Sequence, residues 1–337
     1  MRRYRGKVRL FDRREVLRVG GLSIAGSALL ACDKLDLPST VILREVIEPI
    51  TPTEEFYTYS HGPMPGVDLT TLSMTVRDRG DPVLTITPAA LAGLTLREKE
   101  HTLQCIGSGP RLPQISNAIW GGLPLREVFS ELGIPQMNDA LEIKFLCADG
   151  YDMSIPAGDM DKPIWLVWEM NGEPLSPEHG APARLLVPGR YGTQNPKWIV
   201  DIDFIDEEWV EFWESRGWDD ASVYRPNTFI LSPPNMVTLG PGVLQVVGTA
   251  FAGSDSIASV EISTDHGRTW QEAEVTYANG PDIWTLWRHE WDLSRPGSYS
   301  IQVRATTESG AMTHPDSDRP SRPAGYDGSM EIEIEVS

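Results

Sequence analysis

Apolar and polar positions alternate over residues 72–76 and 83–86, the period of a half-buried strand, and 88–94 reads as a short helix. Residues 140–146, 165–170 and 185–187 are again strand-like, with Asn171-Gly172 placed for a tight turn. Between them, 123–132 carries apolar residues at helical spacing and stops at Gly133. Strands and short helices interleave without the strict alternation of a doubly wound sheet, which predicts an α+β domain. Beyond Ser232-Pro233-Pro234 the pattern is strands alone, over 243–247, 257–263, 284–291, 299–305 and 332–336. Turn signals at Asp265-His266-Gly267, Asn279-Gly280 and Pro296-Gly297 separate them. Short, evenly spaced strands of this kind predict an all-β immunoglobulin-like sandwich over 232–337.

The first residues break the pattern. Residues 1–31 hold eight Lys/Arg against two Asp/Glu, and 16–31 turn apolar and small, with Gly20, Gly21 and Gly26 inside. That stretch is too short and too glycine-rich for a membrane span, which needs roughly 20 predominantly apolar residues. Asp12-Arg13-Arg14-Glu15-Val16-Leu17-Arg18 is the twin-arginine pattern, a receptor-read export address. Residues 1–31 are therefore expected to be a twin-arginine signal segment and the product to be periplasmic. That route carries folded proteins and so suggests a cofactor loaded before export. Leu29-Leu30-Ala31-Cys32 also resembles a lipobox, which would leave a lipid tether at Cys32; the alternative is ordinary cleavage nearby.

The formal charge of −19 becomes −25 once the leader's net +6 is gone. Nucleic acid is a poor partner for such a chain, because affinity for phosphate backbones is built from Lys and Arg. An acidic surface suits solubility and also a basic electron carrier. Of the three cysteines, Cys32 belongs to the leader region and Cys147 sits in the apolar run 143–147 as a buried strand residue. No disulfide framework is indicated, even in an oxidising compartment.

Cys105 is different. It lies in Leu103-Gln104-Cys105-Ile106-Gly107-Ser108-Gly109-Pro110, an apolar stretch running into a glycine-rich turn that would hold one thiol at the lip of a cavity. A thiolate there would be a soft metal ligand; the plain alternative is a small core hydrophobe. Further along come Ile115-Ser116-Asn117-Ala118-Ile119-Trp120-Gly121-Gly122-Leu123-Pro124-Leu125-Arg126 and Trp168-Glu169-Met170-Asn171-Gly172-Glu173-Pro174-Leu175. Glu178-His179-Gly180-Ala181-Pro182-Ala183-Arg184-Leu185-Leu186-Val187-Pro188-Gly189-Arg190-Tyr191-Gly192 and Lys197-Trp198-Ile199 follow. In that order these motifs resemble the molybdenum-ligand segment and second signature of the sulfite oxidase family. The segment Val260-Glu261-Ile262-Ser263-Thr264-Asp265-His266-Gly267-Arg268-Thr269-Trp270 is similar to that family's C-terminal dimerisation domain.

The resemblance implies an α+β catalytic domain of the sulfite-oxidase-like, molybdopterin-binding fold over 32–231, followed by the sandwich as a dimerisation domain over 232–337. It implies a molybdenum–molybdopterin cofactor whose metal is ligated by Cys105. It also implies that His61, His179, Arg184 and Lys197 hold the pterin's phosphate, with Asp149 and the Asn195-Pro196 backbone as further pterin contacts. Arg184 offers a planar fork and Lys197 a point charge, both suited to phosphate. Trp120, Trp165, Trp168 and Trp198 are assigned to packing.

The departures from the family pattern concern the substrate. Where sulfite oxidases carry an arginine two positions before the first pterin histidine, this chain has Tyr59; a second expected arginine falls on Gly109-Pro110; and the family's active-site tyrosine aligns with Trp218. Tyr59 and Trp218 therefore join Cys105 as the expected reaction-site residues. A sulfite dianion out of water needs fixed positive charge, since burying an uncompensated charge costs several kcal/mol. Arg111, Arg190 and Arg216 are the nearby arginines that would have to supply it. The expected activity is two-electron oxygen-atom transfer on a small-molecule substrate. No Cys-x-x-Cys-His is present, so electrons would pass to a separate carrier, a cytochrome or quinone-linked protein. Sulfite dehydrogenation with cytochrome c, reduction of an S- or N-oxide, and a cofactor-free scaffold are the alternatives.

Overall fold

The computed structural model describes residues 43–337 apart from 136, 138, 220, 221, 316–319, 321 and 322. The twin-arginine segment and Cys32 lie outside the described residues. Ile42–Ser337 forms one compact unit. Its first strands are β1 (Met74–Asp78), β2 (Asp81–Ile86), β3 (Arg97–Gln104), β4 (Ile115–Pro124), β5 (Glu142–Cys147) and β6 (Asp152–Pro156). Then come β7 (Trp165–Met170), β8 (Glu173–Pro174), β9 (Arg184–Leu186) and β10 (Ile199–Ile205). They make two sheets, ordered β2-β1-β10-β5-β6 and β3-β4-β7-β8, with β9 paired to β7. Among the described residues the α-helices are Pro88–Ala92 and Leu125–Glu131.

Met74, Phe145 and Ile202 of the first sheet share a core with Leu166 and Leu185 of the second. Each such side chain contributes roughly 1.5–3 kcal/mol by leaving water. The opposite face of the second sheet packs Leu103, Ala118, Trp120 and Val167 against Phe56. β4 and β7 are therefore covered on both faces, so their apolar residues need not alternate. The two strands approach so closely that a Cβ on Gly122 would meet the Leu166 carbonyl oxygen at 2.2 Å. After β7 the chain reverses through Asn171 (φ 54°) and Gly172 (φ 81°), the doubly left-handed turn that Asn-Gly favours.

The C-terminal strands are β11 (Asn227–Ser232), β12 (Val237–Leu239), β13 (Gly242–Phe251), β14 (Ile257–Ser263) and β15 (Gln271–Glu272). β16 (Glu274–Tyr277), β17 (Thr285–Leu293), β18 (Gly297–Thr307) and β19 (Glu331–Val336) complete them. They form two sheets, β11-β13-β17-β16 and β12-β19-β18-β14-β15. In chain order these correspond to the ABED and GFC arrangement of an immunoglobulin-type sandwich. Its core of Phe229, Val246, Trp287, Ile301 and Val303 also takes in Ile106, Ile115 and Tyr191 from the N-terminal segments.

Two local readings differ. The helix expected over 123–132 begins at Leu125, because Leu123 and Pro124 are still paired in β4 with Leu166 and Trp165. β3 was not legible as a strand: its first half, Arg97–Glu100, is charged and partly exposed, and only His101–Gln104 is buried.

Candidate functional site

β3 delivers Cys105. The residue before it, Gln104, is fully buried, donates its backbone N–H to the Tyr224 hydroxyl oxygen (3.2 Å) and shares side-chain hydrogen bonds with Asn227 at 3.2 Å. Cys105 then donates its N–H to the Gln114 carbonyl (3.0 Å) and accepts from Ser108 N–H (3.0 Å), while Gln114 N–H reaches Ser108 Oγ (2.8 Å). These bonds close the 105–114 turn and leave the thiol, on a residue only 9% exposed, at the wall of a cavity of about 260 Å³. The thiol is free. Burial pushes its pKa up, with a Gly107 N–H pulling the other way. A cation beside the sulfur would be needed to hold it as thiolate, and a coordinated metal does that outright.

The cavity gathers the other expected residues from separate segments. Tyr59 and His61 enter from the loop before β1, Asp149 from the turn between β5 and β6, and His179 from the turn before β9. Arg184 lies on β9, Asn195 and Lys197 on the segment before β10, and Trp218 beyond β10; all line the same space. His61 Nδ1 stands 3.1 Å from Asp149 Oδ2, and its ring sits against Tyr151 and Phe212. His179 Nε2 faces the Thr53 carbonyl at 2.9 Å, which fixes the proton on that nitrogen and leaves Nδ1 as an acceptor; burial lowers its pKa and keeps it neutral.

Arg184 is 6% exposed. Nη1 donates to the His179 carbonyl and Nη2 to the Asn195 carbonyl, both at 3.1 Å, and the guanidinium lies 5.3 Å from the Trp120 ring. Its Nε is buried with no partner among the described residues. Burial brings its pKa down to about 10. Lys197 donates to the Glu178 carbonyl (2.9 Å) and lies over Trp198 at 4.2 Å; burial first, then Arg184, bring it down to about 7. An orphaned guanidinium N–H beside a lysine that the fold discourages from holding its charge is a pair waiting for an anion. The donor set fits the phosphate end of a pterin, and the thiol fits the metal end.

Three findings refine the sequence reading. Asn195's side chain does not face the cavity chemistry: its amide donates to the Arg190 and Tyr191 carbonyls and its oxygen accepts Val187 N–H at 2.8 Å, so it holds the wall. Trp198, assigned to packing, is 2% exposed yet lines the cavity, its indole N–H bound to Pro177 O at 2.7 Å. Arg111, Arg190 and Arg216 are not among the lining residues; Arg216 instead donates to Phe212 O at 2.6 Å and stacks 3.5 Å over that ring. Arg184 and Lys197 are the arginine and lysine on the wall.

Sequence reasoning missed Tyr57, Gln114 and Trp213, which also line the cavity. Burial raises the Tyr57 phenol well above its ordinary pKa, so it is a hydroxyl donor at any working pH. Its signal was present but weak: Tyr57 stands two residues before Tyr59, and extended backbone sends residues i and i+2 to the same side.

Residues 61–213 match the oxidoreductase molybdopterin-binding domain, and residues 221–320 match the Mo-co oxidoreductase dimerisation domain. The chain is similar to a sulfite oxidase of Arabidopsis thaliana, 30% identical over 280 residues that cover 68% of this chain and 71% of that protein. It is similar to a Gallus gallus sulfite oxidase at 28% identity over 324 residues, 80% of this chain and 69% of that one. In fold it resembles the sulfane dehydrogenase SoxCD of Paracoccus pantotrophus, with a TM-score of 0.74, 21% identity, and 94% and 96% of the two chains covered.

Proposed function

This chain belongs to the sulfite oxidase family of molybdopterin-binding oxidoreductases, and from that membership we propose an exported enzyme that moves one oxygen atom and two electrons between water and a small substrate. When bound, the molybdenum cofactor supplies the two-electron couple and the oxygen-transfer chemistry. Cys105 supplies the sulfur donor. Arg184 and Lys197, with His61 and His179, would hold the anionic end of the pterin, and the Asp149 carboxylate stands beside His61. Tyr57 offers a neutral O–H, and Tyr59, Trp213 and Trp218 form an aromatic approach to the sulfur side. Since the wall's arginine and lysine lie in the set suited to the cofactor's phosphate, the approach favours a substrate of low charge over the sulfite dianion.

The observation that carries this reading is convergence: residues from segments spread over 59–218 surround one buried thiol. An inert scaffold has no need of an unpartnered arginine N–H at such a wall. Two copies would pair through the sandwich, and the electrons would pass to a separate carrier suited to the chain's acidic surface. The leader's paired arginines support a periplasmic address, with Cys32 as an optional tether.

The test is metal analysis of protein matured in a cofactor-competent host, followed by turnover with sulfite and cytochrome c beside sulfoxide and a reduced dye. About one molybdenum per chain is expected, lost or inactivated in Cys105→Ser. A metal-free, fully folded wild type would end the enzymatic reading, and sulfite turnover at micromolar KM would end the low-charge substrate reading.

A further inference from the structure

The segment from Glu211 to Trp218 forms one rim of the cavity and carries a run of backbone hydrogen bonds within itself. Ser215, Arg216, Gly217 and Trp218 N–H groups go to Glu211, Trp213, Glu214 and Trp213 carbonyls, at 2.8–3.2 Å. Three of its aromatic rings face the site: Phe212 packs 4.5 Å from His61, and Trp213 and Trp218, 6.4 Å apart, line the cavity.

At its start stands a carboxylate that the chemistry above does not use. Glu211 is 7% exposed. Oε1 accepts Ser154 N–H on β6 at 3.0 Å, and Oε2 accepts Gln194 Nε2 at 2.5 Å. Gln194, itself buried, ends the turn Gly192–Gln194 and directly precedes Asn195, whose carbonyl holds Arg184. One carboxylate thus ties the aromatic rim to β6 and to the wall that carries Arg184 and Lys197. Buried carboxylates are expensive, so a protein that keeps one here gains something an apolar residue would not give.

We propose that Glu211 is a positioning residue for substrate: by clamping the rim to Gln194 and Ser154 it sets the distance between the Trp213–Trp218 lip and the Cys105 sulfur, and with it the size of substrate admitted. The proposal rests on the oxidoreductase reading only for the word substrate; the clamp itself stands on the hydrogen bonds.

The test compares Glu211→Ala, Glu211→Gln and Gln194→Met in the full-length protein. Glutamine can still accept from Ser154 and, with the Gln194 amide turned over, donate to it, so Glu211→Gln should recover most of what Glu211→Ala loses. Gln194→Met cuts one bond while keeping volume and the Ser154 tie, and so guards against a misfolded alanine variant. Hydrogen exchange of the amides of Ser215 to Trp218 should speed up at least tenfold in Glu211→Ala and Gln194→Met and return toward wild type in Glu211→Gln. In molybdenum-loaded protein the KM for a small sulfoxide should rise about tenfold in the first two with kcat changed less than threefold. Unchanged exchange in both would overturn the clamp; faster exchange with unchanged KM would overturn its role in substrate selection. A wild type without molybdenum would defeat the enzymatic reading while the exchange experiment still decides on Glu211.

Discussion

Replacing Arg184 with methionine should separate stability from cofactor binding. Burial brings the guanidinium well below the usual arginine range, down to about 10. At about 1.36 kcal/mol per pH unit this is about 3 kcal/mol against the charged form. The group stays charged below about 10, so the cost is fully present at neutral pH, and a residue only 6% exposed has little solvent to screen it. Methionine removes that cost and fills similar volume. It also strips donors from the His179 and Asn195 carbonyls, a loss of about 1–3 kcal/mol each. The two effects oppose, and apo-protein stability should change by less than about 3 kcal/mol. Cofactor retention has no such compensation: an anion deprived of its buried charged partner loses about 3–5 kcal/mol, a factor of about 10²–10⁴ in affinity. Urea unfolding of the apo-protein and molybdenum content of the matured protein measure the two. A collapse of apo stability by more than about 5 kcal/mol, with molybdenum still at one per chain, would refute the reasoning.

Lys197 makes anion binding depend on pH. Its folded pKa of about 7 lies below its ordinary value of 10.5, so the folded apo-protein binds fewer protons than the unfolded chain and this group's contribution to stability falls as pH drops from about 10 toward 7. An anion restores the proton; inorganic phosphate should bind the apo-protein with uptake of up to one proton near pH 8, and proton-neutral binding by calorimetry in two buffers would contradict this. Tyr59→Arg should lower KM for sulfite at least tenfold by returning a cation to the approach, read from initial rates; no change would show that charge does not limit sulfite there. Gly122→Ala should cost several kcal/mol or prevent folding, because its Cβ meets the backbone of Leu166 and Val167 at 2.2 and 2.6 Å. Gly158→Ala, with nothing within 4 Å, should melt like the wild type.

What was legible in the sequence followed from local rules. Asn171-Gly172 declares its turn because few residue pairs tolerate two successive left-handed conformations. β7 and β14 were readable to the residue because their apolar pattern is set by faces that are buried throughout or alternate cleanly. β3 was hidden because its burial changes along its length, and β10 because Asp201 and Asp203 interrupt the apolar run to meet Arg77 and Gly80 across the sheet. At the site, the motif residues were legible through the family resemblance that their order along the chain carries. Glu211 was not, since a lone Glu has no spacing signature, and Tyr57 had only its spacing from Tyr59. What matters about them is which distant segments they touch, a property of the fold alone.

Ile106 and Ile115, which flank the cysteine turn, and Tyr191, which directly precedes the Gly192–Gln194 turn, all lie inside the hydrophobic cluster of the C-terminal sandwich. Melting of either half should therefore drag the other with it. Heating ought to give a single calorimetric peak in which metal release coincides with loss of sandwich structure, and a protease should find no cut near residue 232 that frees an intact catalytic piece. For anyone wishing to graft this oxidoreductase onto another assembly, the sandwich has to travel with it.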